Sequence, residues 1–402
     1  MELAIEITNY VLVAILIGVS GTWIILIKSM LRSFRFTPYL DKFDIQKHEK
    51  PKVSVIVPAR NEEKLISTCL DSLLNQDYDN YEIIVIDDSS EDSTGEIIKK
   101  YAKDNSKIIH VSARPKPKDW MGKNWACMEG YQKVTGELLV CTDSDTKYSS
   151  NVLSLSVSHL FSLNLDALTV IPKMLCLDNW TRITLPMLST FLHTRFSALR
   201  VNDPTKKTGY FFGSFFIIKK AVYEAIGTHE GVKHEIIEDG ALGKKVKEAG
   251  YKLRMVRGEH LLEAVWARNK TTLWNGLKRL MIPLFLQGKS IAVGIFVAVL
   301  FLLFMPFPIL IYAGVFFENT ISFMMLLIVS ALASSLIYCA GFIDATKGLQ
   351  LRKIYSAFAP VGSFIVVAGF FSGMIQANSK TAVSWRGRSY SMKEHVTNSI
   401  SL

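Results

Sequence analysis

Apolar positions fall into two regimes along this chain. Residues 10–28 run Tyr-Val-Leu-Val-Ala-Ile-Leu-Ile-Gly-Val-Ser-Gly-Thr-Trp-Ile-Ile-Leu-Ile-Lys, with no charge before Lys28, about the length that crosses a bilayer core. Three more apolar stretches cover 291–317, 321–343 and 354–376. The pattern therefore predicts an integral membrane protein with one N-terminal and about three C-terminal transmembrane helices. Between these stretches, short strand-like runs alternate with helix-spaced apolar faces, which predicts an α/β domain with a largely parallel sheet.

Strands are expected at 53–58, 81–88, 107–112 and 137–143, and helices over 62–75, 92–104 and from Lys123. Leu65, Ile66, Cys69, Leu70 and Leu73 place the first of these helices with one apolar face. Farther on, 166–172 reads as a strand and 178–200 as one greasy helix carrying Leu185, Met187, Leu188, Phe191, Leu192 and Phe196. A strand rich in aromatics is expected at 209–218, a helix from Glu238 to about Ala249, and a strand over 251–257. The segment 273–288 mixes apolar residues with Lys278 and Arg279 and suits a membrane interface.

Charge orients this arrangement. Lys28, Arg32 and Arg35 follow the first span, whereas Glu2 and Glu6 precede it. With no basic n-region and no small-residue cleavage site, the span reads as an anchor and not a signal peptide. The positive-inside rule then puts the following domain in the cytoplasm, on an integral, multi-pass cell-membrane protein. The net charge of +10 over 402 residues suits a face held against anionic lipid or a phosphorylated substrate. No basic stripe interleaved with stacking aromatics is present, so nucleic acid is not an expected partner. Cys69, Cys127, Cys141, Cys176 and Cys339 lack CxxC spacing and nearby His pairs, which excludes a zinc site or disulfide framework and leaves reduced core thiols. Asn179 and Asn269 stand in Asn-x-Thr sequons that matter only in a lumenal segment and are read as chance occurrences.

The candidate chemistry sits where strands end. In Glu137-Leu-Leu-Val-Cys-Thr-Asp-Ser-Asp-Thr146, Asp143 and Asp145 share one side of a strand's carboxyl end and converge. Repulsion between two such acids is relieved by a divalent cation, Mg²⁺ or Mn²⁺, which would in turn hold a diphosphate. A solvated Asp-Ser-Asp turn is the alternative. Asp87 and Asp88 close the strand at 81–88 at the same sheet edge, where open α/β sheets bind ligands. Neither a Gly-rich dinucleotide fingerprint nor a Walker loop is present.

Four motifs in order carry a resemblance: Val-Pro-Ala-Arg-Asn-Glu (57–62), Val-Ile-Asp-Asp-Ser-Ser-Glu-Asp-Ser-Thr (85–94), Thr-Asp-Ser-Asp (142–145) and Glu-Asp-Gly-Ala-Leu-Gly (238–243). Over 51–285 the chain resembles the family-two glycosyltransferases with the GT-A fold, a Rossmann-like nucleotide-diphospho-sugar transferase domain with a mixed sheet. Trp120-Met-Gly-Lys-Asn-Trp-Ala-Cys-Met-Glu-Gly130 and Val383-Ser-Trp-Arg-Gly-Arg-Ser-Tyr390 narrow the likeness to the membrane enzymes of the hopanoid-associated and diaponeurosporenoate glycosyltransferase group.

The resemblance implies a hexosyltransferase in which Asp87 accepts hydrogen bonds from uracil or ribose, Asp88 stands beside it, and the turn of Ala59, Arg60 and Glu62 closes over the nucleotide. Lys123 would meet the nucleotide or diphosphate, unless it is a solvated helix-start lysine. Asp145 is implied as the metal ligand, with Asp143 at the ribose or a metal-bound water. Asp239 is implied as the general base beside Glu238, and both also suit a helix N-terminus. A Gln-x-x-Arg-Trp motif of processive synthases is absent; Trp274-Asn-Gly-Leu-Lys-Arg279 is the nearest run, so chain extension is disfavoured. Arg279 could reach the diphosphate or serve as an interfacial basic residue.

The division expected is an anchor at 1–32, a linker at 33–50, the GT-A domain at 51–285, a transmembrane region at 286–378 and a basic tail at 379–402. The function expected is inverting, metal-dependent transfer of one sugar from a nucleotide-sugar, a UDP-sugar, to a membrane lipid acceptor. A polyprenyl-phosphate sugar synthase and a non-catalytic nucleotide-sugar-binding membrane protein are the alternatives. One conflict stands. If all the late stretches cross, the tail with Lys380, Arg386, Arg388 and Lys393 ends outside, against the positive-inside rule.

Overall fold

The computed structural model describes residues 2–42, 50–190, 196–378, 383–385 and 388–390. Helix α1 (Glu2–Phe36) leads into strand β1 (Val53–Ala59), every residue of which is buried. That is what a parallel strand covered on both faces requires. There follow α2 (Ile66–Leu74), β2 (Tyr81–Asp87), α3 (Thr94–Asp104), β3 (Ile108–Ser112), α4 (Gly122–Tyr131), β4 (Leu138–Cys141), β5 (Lys147–Tyr148) and α5 (Val152–Ser162). Next come β6 (Ala167–Ile171), β7 (Lys173–Cys176), α6 (Asn179–Ser189), β8 (Phe216–Lys219), α7 (Glu238–Glu248), β9 (Leu253–Arg257) and β10 (Leu262–Ala267). The remainder is α8 (Lys270–Gln287), α9 (Lys289–Leu303), α10 (Pro306–Val315), α11 (Ile321–Ile343), α12 (Ala359–Asn378) and the hairpin β11 (Val383–Trp385) and β12 (Arg388–Tyr390).

The main sheet has the order β3-β2-β1-β4-β8-β6-β9. β3, β2, β1 and β4 are parallel, while β8 runs antiparallel between β4 and β6 and makes the sheet mixed. Period-two alternation divides the core. Val55, Val57, Val85 and Val140 pack under α2, α3 and α5 through Leu70, Ile98 and Val157, and Ile56, Ile84, Ile86 and Leu139 pack under α4 and α7 through Cys127, Leu242 and Val246. A smaller sheet, β5-β10-β7, stands beside it.

Two expected elements change. The stretch 178–200 is not one helix: α6 ends at Ser189, and a short turn at Ala198–Val201 follows. Phe191 and Leu192 lie outside the described residues. Near the break, the Ser189 hydroxyl bonds to the Leu185 carbonyl (2.7 Å) and to Asp344, and the Thr190 hydroxyl bonds to the Met187 carbonyl at 2.8 Å, local bonds that compete with helix continuation. Of the strand expected at 209–218, only its end joins the sheet, as part of β8. Gly209 packs against the Gly243 backbone so closely that a Cβ would stand 1.9 Å from its carbonyl oxygen.

Among the described residues, three helical stretches are long and apolar enough to cross a membrane: Glu2–Phe36, Ile321–Gly348 and Lys353–Ala377. The first late stretch is instead a pair, α9 and α10, bent by 53°. Pro306 explains the break, because it has no N–H for the Leu302 carbonyl four residues earlier. The Trp23 indole of α1 supplies the missing donor to that carbonyl, at 2.7 Å. Cys69, Cys127, Cys141 and Cys176 are buried free thiols, as expected, whereas Cys339 is exposed on α11.

Candidate active site

β1, β2 and β4 end in register, with Ala59 opposite Asp87 and Ile56 opposite Cys141. The loops that follow meet at this edge around a cavity of about 1140 Å³. Its wall includes Ala59, Arg60, Glu62, Asp88, Lys123, Asp143, Asp145, Glu238, Asp239 and Arg279. Asp87 lies beside it, with Oδ1 accepting the Ser90 N–H at 3.0 Å and Oδ2 facing Gly95, where a Cβ would come within 2.6 Å.

The two loops after β1 and β2 interlock. Arg60 donates to the carbonyls of Asp88 (2.7 Å) and Ser89 and pairs with Glu91 at 2.8 Å. The Glu91 N–H donates to Asn61 Oδ1 at 2.8 Å, and the Asn61 N–H to Ser90 Oγ at 3.1 Å. Asn61 and Ser89 hold φ of 54° and 55°, left-handed conformations of the kind that cluster where a binding loop is held rigid.

Asp143 and Asp145 lie on the turn beyond β4, not on the strand itself, and the fold gives them different partners. Lys123, in the first turn of α4, bridges Asp143 Oδ1 (2.7 Å) and Glu238 Oε1 (2.6 Å). Burial alone would lower its ammonium, but Asp143 and Glu238, with Asp239 behind them, hold it well above the ordinary lysine range. Lys123 is thus an internal strut between β4 and α7, not a solvated helix-start residue. Asp145 instead meets Arg268 at 3.2 Å, and the same guanidinium pairs with the buried Glu62.

Asp239 occupies the first turn of α7 and accepts the Gly240 N–H at 2.8 Å. Burial first, and the Glu238 carboxylate second, raise it from 3.8 to about 7, against the pull of Lys123. A carboxyl poised there can take a proton near neutral pH. Gly213 leaves the room this group needs: a Cβ there would lie 2.7 Å from Asp239 Oδ2, 3.1 Å from Lys123 Nζ and 3.4 Å from Asp143 Oδ2.

Sequence reasoning missed Arg268 and Gly213. Arg268 carries a local signal only in hindsight. It precedes Asn269, whose side chain accepts the Thr272 N–H at 3.0 Å in a capping box that starts α8. The sequon at Asn269 is therefore a helix cap. Among the described residues no group of three His, Cys, Asp or Glu side chains converges as a closed metal cage. Asp143 and Asp145 are nonetheless hard oxygen donors at one cavity wall, chemically suited to a cation whose remaining ligands come from a diphosphate.

Residues 54–227 match the family described as "Glycosyl transferase family 2". They form a family 2 glycosyltransferase domain. The domain is similar over 138 residues, at 33% identity, to the probable glycosyltransferase YdaM of Bacillus subtilis (strain 168), a match covering 32% of this chain and 33% of that protein. It is 28% identical over 212 residues to the 4,4'-diaponeurosporenoate glycosyltransferase of Staphylococcus haemolyticus (strain JCSC1435), covering 51% of this chain and 55% of that one. The chain thus spans about a third to about half the length of these relatives. In fold, the chain is similar to a mannosyltransferase from Pyrobaculum calidifontis solved with GDP-Man and Mn²⁺, with a TM-score of 0.55 at 18% identity over 92% of this chain and 100% of that one. The expected GT-A arrangement of the mixed sheet is borne out.

Proposed function

We propose that this glycosyltransferase moves one sugar, with inversion, from a UDP-sugar to a membrane lipid in a metal-dependent reaction. One observation carries the reading: the cavity that holds Asp239, Lys123 and Asp143 continues to Ile295 and Val299 on α9 and Phe370 on α12. A soluble acceptor has no use for a wall built from such apolar helices, whereas a lipid hydroxyl, carboxyl or phosphate is delivered along it. The solved neighbour's Mn²⁺ and nucleotide-sugar complex is consistent with the donor class and the cation.

Asp88, Arg60 and the Ala59–Glu62 turn hold the nucleotide side of the cavity, with Asp87 behind them. Asp145 and Asp143 would hold Mg²⁺ or Mn²⁺ together with the donor diphosphate, and the cation would supply Lewis-acid neutralisation of the charge growing on the leaving group. Asp239 accepts the proton of the acceptor group as its oxygen bonds to the sugar's anomeric carbon and the bond to the diphosphate breaks. Lys123 keeps Asp143 and Glu238 in place, and Arg279 on α8 faces the same cavity from the membrane side. The domain division follows: anchor, glycosyltransferase domain, and a C-terminal helical region that completes the acceptor wall, with catalysis on the cytoplasmic face.

The test is turnover of a panel of nucleotide sugars by purified protein in native lipid extract, with and without chelator, beside Asp239→Asn and Asp145→Ala. Nucleoside diphosphate release matched by lipid-borne sugar, lost in both variants and on chelation, is expected. Nucleotide binding without turnover of any donor would overturn the reading.

A further inference from the structure

The late helices do not share one relation to the glycosyltransferase domain. α1 ends on it: the Leu40 N–H donates to the Arg257 carbonyl at 2.9 Å, and the Arg257 N–H to that of Pro38 at 2.8 Å. α11 ends at the same level, where Gly348 lies against Phe34 and Asp344 bonds to Ser189 of α6. The two helices pack along each other in parallel, so the start of α11 is at the far side of the membrane. The bent pair α9 and α10 makes the connecting crossing, and Tyr312 meets Phe323 at its far end with ring centroids 5.8 Å apart.

α12 behaves differently, because both of its ends return to the domain. Its approach is held by Tyr355, whose hydroxyl lies 3.3 Å from Asn179 Oδ1 and from the Arg182 guanidinium of α6. The helix then runs antiparallel to α9, pairing Phe364 with Phe304 (5.4 Å) and Phe371 with Phe296 (5.7 Å), so its last turns lie toward Lys289, where α9 begins. Gly362 sits on the Ile183 carbonyl, Gly369 on the Leu277 side chain and Gly373 on the Lys278 backbone, contacts that follow α6 and α8 along its whole length. Beyond it, β11 lies against α8. Phe370 meanwhile lines the catalytic cavity.

We infer that α12 does not cross the membrane but lies beneath the glycosyltransferase domain as a wall of its cavity. The chain then crosses three times, by α1, by α9 with α10, and by α11, and the hairpin of β11 and β12 stays on the catalytic face. A 20-residue apolar helix is long enough to span, but here both ends are tied to the same side. This placement removes the conflict with the positive-inside rule, since Arg388 of β12 falls on the same side as Lys28, Arg32 and Arg35.

The test is cysteine accessibility in the full chain in its own membrane, a readout independent of sugar transfer. Glu318→Cys, between α10 and α11, and Ser399→Cys are made separately in a Cys339→Ser background and treated with a membrane-impermeant maleimide. Labelling is measured in intact and permeabilised cells and expressed relative to denatured protein. Expected is strong labelling of E318C in intact cells and of S399C only after permeabilisation, with at least a tenfold difference for S399C. Labelling of S399C in intact cells overturns the inference, as does protection of E318C there, which would remove a crossing.

Discussion

Replacing Glu238 by Gln should move the acidic limb of the pH–rate profile to lower pH. In the wild type, burial and then the Glu238 carboxylate hold Asp239 at about 7 instead of 3.8. A general base must be ionised to act, so kcat/KM should rise with pH through about 7 and be roughly tenfold lower at pH 6 than on the plateau. Gln keeps the volume of Glu238 but removes the like charge. It also releases Lys123, now 2.6 Å from Glu238, to favour the Asp239 carboxylate. Both changes act in one direction, and a neighbouring charge at such range is worth about one pKa unit or more. The limb should therefore fall by about one unit, whereas Lys123→Met should raise it. The assay is nucleoside diphosphate release, measured as kcat/KM from pH 5 to 9 at constant ionic strength. A wild-type limb below pH 5, or an upward shift in Glu238→Gln, would refute the assignment of Asp239 as a base tuned by these two neighbours.

Gly213→Ala would put a methyl group 2.7 Å from Asp239 Oδ2, pushing that carboxyl by several tenths of an ångström. Steady-state kinetics should show kcat reduced by about 10- to 100-fold with the melting temperature little changed. Val299→Trp, filling the cavity wall on α9, should abolish transfer to a long-chain lipid while donor binding by titration calorimetry persists; unchanged transfer would separate this wall from the acceptor. Glu82 tests the fold apart from the site. Burial would raise its carboxyl, but bonds from Lys52, Ser54 and Thr135 outweigh that and hold it at about 2 instead of 4.5. Its stabilisation is therefore full above about pH 4.5 and lost as pH falls toward 2. Glu82→Gln should cost ~2 kcal/mol at pH 7 and much less near pH 3, as read by urea unfolding of the protein in detergent micelles.

Local pattern alone determined a good part of this protein. The largely apolar run of β1, the strand ends carrying Asp87 and Asp143, the acidic start of α7 and the uncharged first span are written in spacings of two, of three to four, or of about twenty residues. Those are the periods of a strand, a helix face and a bilayer. Tertiary structure decided what no period encodes. Arg268 reaches Glu62 and Asp145 across 206 and 123 positions of chain, and Lys123 becomes a strut only because β4 and α7 deliver carboxylates to either side of it. The break at 304–305 is signalled by Pro306, but its repair by Trp23 spans 279 positions. α12 has the composition of a span, and only its packing on α6, α8 and α9 turns it into a wall of the cavity. Composition sets whether a helix tolerates lipid; the positions of its two ends, fixed by distant contacts, set whether it crosses.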